Sequence, residues 1–141
     1  KPGGASSAPL TPGELDAALE PKSMAELGTI MGTGGVVVFD DTTDMVDVAY
    51  RDALFFEEES CGFCIPCREG TPNLVQIGER ILHGQGTMDD LDLLNELGSS
   101  MMASFCGLGQ FAHQPVRGAA QRFRKDFEAH IRGEPIPSIG A

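Results

Sequence analysis

Tryptophan is absent from these 141 residues, so any core has to be built from leucine, isoleucine, valine, methionine and eight phenylalanines. Basic residues are scarce. Ten lysines and arginines face 21 acidic residues, leaving a formal charge of −11. That balance argues against a nucleic-acid surface, which needs clustered positive charge to meet phosphates, and against an anionic membrane surface for the same reason. No apolar run approaches the roughly 18 to 20 residues that span a bilayer, so no direct membrane span is expected. The first twelve residues are rich in proline, glycine and serine and lack the apolar stretch of a secretory signal. Lys1 is not a natural initiator, and the chain reads as a fragment, a processed product or the ordered part of something longer. The length suits one domain with a modest core.

The charge that is present is unevenly spread. Residues 1–60 carry a net −9 and residues 61–141 only −2. All four cysteines lie in the near-neutral part, where an anionic prosthetic group would meet less repulsion.

Residues 1–42 read as a lead-in: a linker, a short helix and a small strand. Thr11-Pro12-Gly13-Glu14 has the grammar of a helix start, with Thr as N-cap, proline in the first turn and Glu reaching back. The helix is expected to run to about Glu20 and stop at Pro21. Val36-Val37-Val38-Phe39 is a β-branched run that reads as a buried strand. Residues 43–133 read as a helical bundle, and 134–141 as a tail. A helix from Thr43 to about Glu58 carries Met45, Val48, Ala49, Asp52, Phe55 and Phe56 at three- and four-residue steps. A second runs from about Arg68 to Leu82 and ends at His83-Gly84. A third restarts at Thr87 with acids in its first turn and continues to about Met102. A fourth opens near Pro115 and lines Val116, Ala120, Phe123, Phe127 and Ile131 along one face. The expected fold is mainly α, a four-helix bundle.

Cys61-Gly62-Phe63-Cys64-Ile65-Pro66-Cys67 has the spacing C-x₂-C-x₂-C, and Cys106 follows after 38 intervening residues. Two-residue spacers let successive thiolates reach different irons of one cubane, and the fourth iron takes its ligand from another direction. In an antiparallel bundle, the ends carrying Cys67 and Cys106 can lie together. The candidate site is therefore Cys61, Cys64, Cys67 and Cys106 around one [4Fe–4S] cluster. Zinc more often uses two C-x₂-C knuckles, and only one is present, so a zinc-stabilised interaction module is the weaker alternative. Disulfides need an oxidising compartment that nothing here indicates. Thioredoxin-like chemistry would place its C-x-x-C after a strand.

Other residues have ordinary readings beside sharper ones. Arg68 could balance a cluster's charge or simply be a solvated helix-end residue. Glu57, Glu58 and Glu59 read as a solvated face before a partner-steering one. His83, His113 and His130 share no ligand spacing and read as surface or loop residues, with His113 close enough to Cys106 in sequence to stand behind a ligand. Met101 and Met102 read as core packing.

Glu59-Ser60-Cys61-Gly62-Phe63-Cys64-Ile65-Pro66-Cys67-Arg68-Glu69-Gly70 resembles the E-S-C-G-x-C-x-P-C-R-x-G signature of the NADH-binding flavoprotein subunit family. That family includes the 51 kDa subunit of respiratory complex I, diaphorase subunits of NAD-linked hydrogenases and β subunits of NAD-dependent formate dehydrogenases. Met31-Gly32-Thr33-Gly34-Gly35 and Phe127-Glu128-Ala129-His130-Ile131 resemble two further family segments, so the likeness covers nearly the whole chain. It implies a helical domain whose four cysteines ligate a [4Fe–4S] cluster. It also implies FMN and NAD(H) on an upstream domain or partner, and single electrons passing to a further Fe–S subunit of a multi-subunit oxidoreductase. The setting it implies is cytoplasmic, or the cytoplasmic or matrix face of a membrane complex. Phe105-Cys106-Gly107-Leu108-Gly109 looks closer to hydrogenase- and formate-dehydrogenase-linked members. No Gly-rich phosphate-binding loop after a strand occurs, so this stretch alone is not expected to oxidise NADH.

Overall fold

The computed structural model describes residues 1–137; the last four residues of the expected tail, 138–141, lie outside the described residues. The helices are α1 (Pro21–Glu26), α2 (Met45–Glu59), α3 (Ile65–Leu82), α4 (Met88–Met101), α5 (Gly107–Phe111), α6 (Gln114–Arg122) and α7 (Arg124–Arg132). Helix α2 packs on α3 and α6, and α4 packs on the same two, which closes a four-membered ring. Helix α7 caps the ring against α2 and α3. The mainly helical bundle expected from periodicity is the architecture found.

The core follows the stripes. Val46, Ala49, Ala53 and Phe56 from α2 meet Leu74, Ile77 and Ile81 from α3, Leu91, Leu94 and Met101 from α4, and Val116 and Phe127 from α6 and α7. Each large side chain taken from water contributes roughly 1.5–3 kcal/mol, before the entropy of ordering it. Phe55 and Met102, expected inside, are exposed. Phe55 neighbours the buried Phe56, and consecutive helix positions lie about 100° apart, so one stripe cannot hold both.

The first 42 residues depart from expectation. Thr11 does cap a turn: the Glu14 carboxylate accepts from the Thr11 N–H and hydroxyl, both at 2.8 Å. That turn is a single 3₁₀ turn, Pro12–Glu14, and no helix continues to Glu20. Pro21 does not stop a helix; it opens α1 at a position where its missing N–H costs nothing. Val36-Val37-Val38-Phe39 is not a buried strand. Among the described residues its ladder is one antiparallel bridge, Val36 to Pro2, and Val38 is 86 % exposed. β-Branched residues favour extended backbone, but a strand needs a partner long enough to pair with, and only Lys1–Gly3 lies alongside.

This lead-in is nonetheless fastened to the bundle. Ser7 and Ala8 are buried, and Thr29 donates to the Ala8 carbonyl at 2.9 Å. Arg122 on α6 donates to Glu14 (3.1 Å) and to the Leu27 carbonyl. The Lys1 ammonium pairs with Asp52 of α2, whose carboxyl is pushed up by burial while Lys1 draws it back.

The long final helix expected from residue 115 is interrupted. Phe123 leaves helical geometry (φ −109°, ψ 36°) and separates α6 from α7. Phe127, Glu128 and His130 of the closing motif lie on α7. His130 is not a free surface histidine. Its Nε2 faces the Asp44 carboxylate at 3.0 Å and its Nδ1 the Leu82 carbonyl at 3.1 Å. Asp44 also caps α2 by accepting from Val46 N at 2.9 Å, so one imidazole ties three helix ends.

Candidate metal centre

All four cysteines are free thiols at junctions between elements. Helix α2 ends at Glu59 and hands the chain to Ser60 and the exposed Cys61. Gly62 then turns with φ +70°, a left-handed geometry that glycine adopts without strain. Cys64 is the N-cap of α3, and Cys67 lies in that helix's first turn, both buried. The second helix begins three residues earlier than its periodicity suggested, because Pro66 is accommodated in the first turn. The start of an 18-residue helix therefore faces the thiols, and its N–H groups and dipole favour the charge a thiolate carries.

Cys106, exposed, is the N-cap of the short helix α5, which periodicity did not reveal. Its loop meets the first one. The Phe63 and Phe105 rings lie with centroids 6.0 Å apart, one from each cysteine loop. The Phe105 backbone, and with it that of Cys67, holds the Cys64 thiol below its ordinary value against the opposing effect of burial. The bundle thus brings the lone-cysteine loop against the triple-cysteine loop.

The two cysteine-bearing segments pack closely against each other. Gly109 sits so close to Cys67 that a Cβ there would lie 2.9 Å from the Cys67 Cβ, and closer still to Ser104 Oγ. Only glycine lets α5 approach. The Ser104 hydroxyl is buried with no well-formed hydrogen bond, and it is near enough to the Cys64 sulfur to help lower that thiol. An orphaned buried hydroxyl is costly unless an acceptor arrives. Among the described residues no three Cys, His, Asp or Glu groups converge as a single ion requires. A single zinc would gather its sulfurs at about 2.3 Å from one point, whereas a cubane spreads four thiolates over four irons. An all-thiol donor set at the start of a long helix fits the larger cluster.

The surface round the thiols is apolar. Phe63 and Phe105 are 77 % and 79 % exposed, and Ile65 and Met102 lie exposed nearby in sequence. So exposed, Phe63, Ile65 and Phe105 form no water-excluding shell over the thiols. Arg68 pairs with Glu69 at 3.0 Å, and its stem passes over Gly62. Glu58 and Glu59 are exposed. His113, read as loop or surface, is 3 % exposed, and neither ring nitrogen has a well-formed hydrogen bond. Burial, and then the Arg117 charge, push its pKa down to about 4, with the Gln110 backbone opposing. A single histidine carries no periodic signal, so only packing shows that it is inside.

Comparison with known proteins agrees with this geometry. Residues 47–130 match the family model described as the NADH-ubiquinone oxidoreductase-F iron-sulfur binding region. The F subunit of the NADH-quinone oxidoreductase of Mycobacterium tuberculosis is 39 % identical over 137 residues, covering 96 % of this chain and 31 % of that protein. The HndC subunit of the NADP-reducing hydrogenase of Solidesulfovibrio fructosivorans is also 39 % identical, covering 96 % and 28 %. The chain thus spans about a third of the length of these curated relatives. A crystal structure of NAD⁺-reducing [NiFe]-hydrogenase in the H₂-reduced state superimposes with a TM-score of 0.81 at 35 % identity, covering 96 % of this chain and 23 % of that one. With more than half its length matched, the chain belongs to the NADH-ubiquinone oxidoreductase-F iron–sulfur binding region family, whose cofactor is a [4Fe–4S] cluster.

Proposed function

We propose that Cys61, Cys64, Cys67 and Cys106 hold the family's [4Fe–4S] cluster, and that residues 43–133 are the unit that carries it. The observation that supports this best is the meeting of the two cysteine loops, through the Phe63–Phe105 ring contact, with the Phe105 backbone close enough to the Cys64 thiol to lower it. When bound, such a cluster supplies one-electron transfer. The chain's own residues bind and bias it. The α3 N-terminus would face its negative charge, Gly109 lets α5 pack against Cys67, and Arg68 offers a nearby cation.

The relatives' names extend the reading. The chain acts within an NAD-linked oxidoreductase of several subunits, relaying single electrons between FMN and NAD(H) chemistry on an upstream or partner domain and a further Fe–S subunit. It is not catalytic by itself, and it works on the cytoplasmic or matrix side. Its exposed apolar collar of Phe63, Ile65, Met102 and Phe105 is where the neighbouring redox centre's protein would seat. The lead-in of residues 1–42 joins the cluster unit to the flavin-bearing part. The quinone-linked and hydrogenase-linked relatives are equally identical to this chain, so overall identity does not separate their terminal substrates.

Anaerobic loading with iron and sulfide, followed by EPR of the dithionite-reduced protein, tests the site. A brown protein with a cubane signal that is lost or converted in Cys106→Ser is expected. A colourless protein with one equivalent of zinc, or a cubane signal unchanged in Cys106→Ser, would sink the four-cysteine assignment.

A further inference from the structure

Ser60 closes α2 immediately before the first cysteine, and its side chain turns back toward the third. Its Oγ lies 3.2 Å from the Cys67 sulfur. The Gly62 N–H donates to the same oxygen at 3.3 Å. A hydroxyl has one proton to give and two lone pairs to receive. Gly62 occupies a lone pair, so the proton remains free. A cysteine bound to iron is a thiolate with no proton of its own. Between these two atoms the hydroxyl must then be the donor.

The position is preorganised. Ser60 is held by the end of α2, where its N–H reaches the Glu57 carbonyl at 3.4 Å. The positive φ of Gly62 directs that residue's N–H back onto the hydroxyl. Cys67 is anchored in the first turn of α3, and its carbonyl accepts from the Thr71 hydroxyl at 3.0 Å. Neither partner has to move for the contact to form.

We propose that Ser60 raises the reduction potential of the cluster by donating its hydroxyl proton to the ligand sulfur of Cys67, an inference that rests on the four-cysteine reading above. Reduction adds one electron, which increases the negative charge shared by iron and sulfur. A donor aimed at that sulfur stabilises the reduced form more than the oxidised one, and hydrogen bonds to sulfur are a recognised control on such potentials. Ser60 acts through Cys67 and is a positioning residue, with no catalytic part of its own.

The test is an EPR-monitored redox titration, with dithionite as reductant, of the cluster in the complete cluster-loaded protein. The signal is identified by its loss in Cys67→Ser. Ser60→Ala should give a more negative midpoint, with the reduced-to-oxidised ratio at a fixed potential falling several-fold; a tenfold fall corresponds to about 59 mV for one electron. Ser60→Thr and Ser60→Val match each other in shape and differ in the hydroxyl, so the midpoint of the Thr variant should lie above that of the Val variant even if the Ala variant loads poorly. A purely structural serine would change the amount of cluster and leave the midpoint of the loaded fraction where it was. Equal midpoints for the Thr and Val variants overturn the inference while the site assignment stands. A cluster that survives Cys67→Ser unchanged overturns both.

Discussion

A buried histidine with two unsatisfied ring nitrogens sets a limit on the acid stability of this protein. His113 is packed where a Cβ on Gly98 of α4 would lie 2.8 Å from its Nδ1, and the Arg117 guanidinium adds repulsion to its protonated form. Its folded pKa of about 4 lies below the ordinary value of 6.5. Between those values the unfolded chain binds more protons, so this contribution is intact above pH 6.5 and lost as pH falls toward 4. Its ceiling is no more than about 3 kcal/mol, from roughly 1.4 kcal/mol per unit. His113→Leu should therefore flatten the decline of the thermal midpoint between about pH 7 and pH 5, measured with cluster content matched. An equally steep decline in the variant would assign that loss to other groups. Glu14 and Asp90 act in the same direction nearer their own range. Burial raises each, but hydrogen bonds from Thr11 and Arg122, and from Arg80 and Thr87, leave both below the ordinary value.

At the scale of elements, the junction between α3 and α4 is held by one carboxylate. Asp90 accepts from the Thr87 N–H at 2.8 Å, capping α4, and pairs with Arg80 in the last turn of α3. Thr87→Ala removes the hydroxyl and its methyl but keeps the backbone N–H on Asp90, and should cost about 1 kcal/mol, the usual loss for a cap. Asp90→Ala removes the cap and strands Arg80, and should cost about 2–3 kcal/mol, read as a larger drop in denaturation midpoint. Equal losses would show that the link to α3 contributes nothing. Thr87 with acids behind it was legible in the sequence, because capping is a local grammar. The Arg80 link was not, since it depends on how α3 and α4 turn about His83–Gly86.

Across the whole molecule, α6 serves two bodies of chain. Its inner face belongs to the bundle, and Arg122 at its end grips the lead-in through Glu14 and the Leu27 carbonyl. Arg122→Met should loosen residues 9–42 while the bundle persists, costing about 1–3 kcal/mol for partly buried polar groups left unpaired. Limited proteolysis should then cut first in that segment. A cleavage pattern identical to the wild type would mean that the other fastenings, the burial of Ser7 and Ala8 and the Lys1–Asp52 pair, secure it without Arg122. Asp44 and His130 supply a second fastening, between the start of α2 and α7.

What the sequence alone determined is whatever short-range chemistry dictates. C-x₂-C-x₂-C reads as a cluster loop because two-residue spacers let neighbouring thiolates reach different irons, and α2, α3 and α4 declare themselves because apolar residues recur once per turn. Tertiary structure decided the rest. It placed Phe105 beside Cys64, buried His113, left Val36–Val38 with a single bridge among the described residues and turned Pro21 from a stop into a start. Each of these depends on which distant segment supplies a neighbour, and a side chain's burial or a backbone's pairing is a property of two segments that neither carries alone.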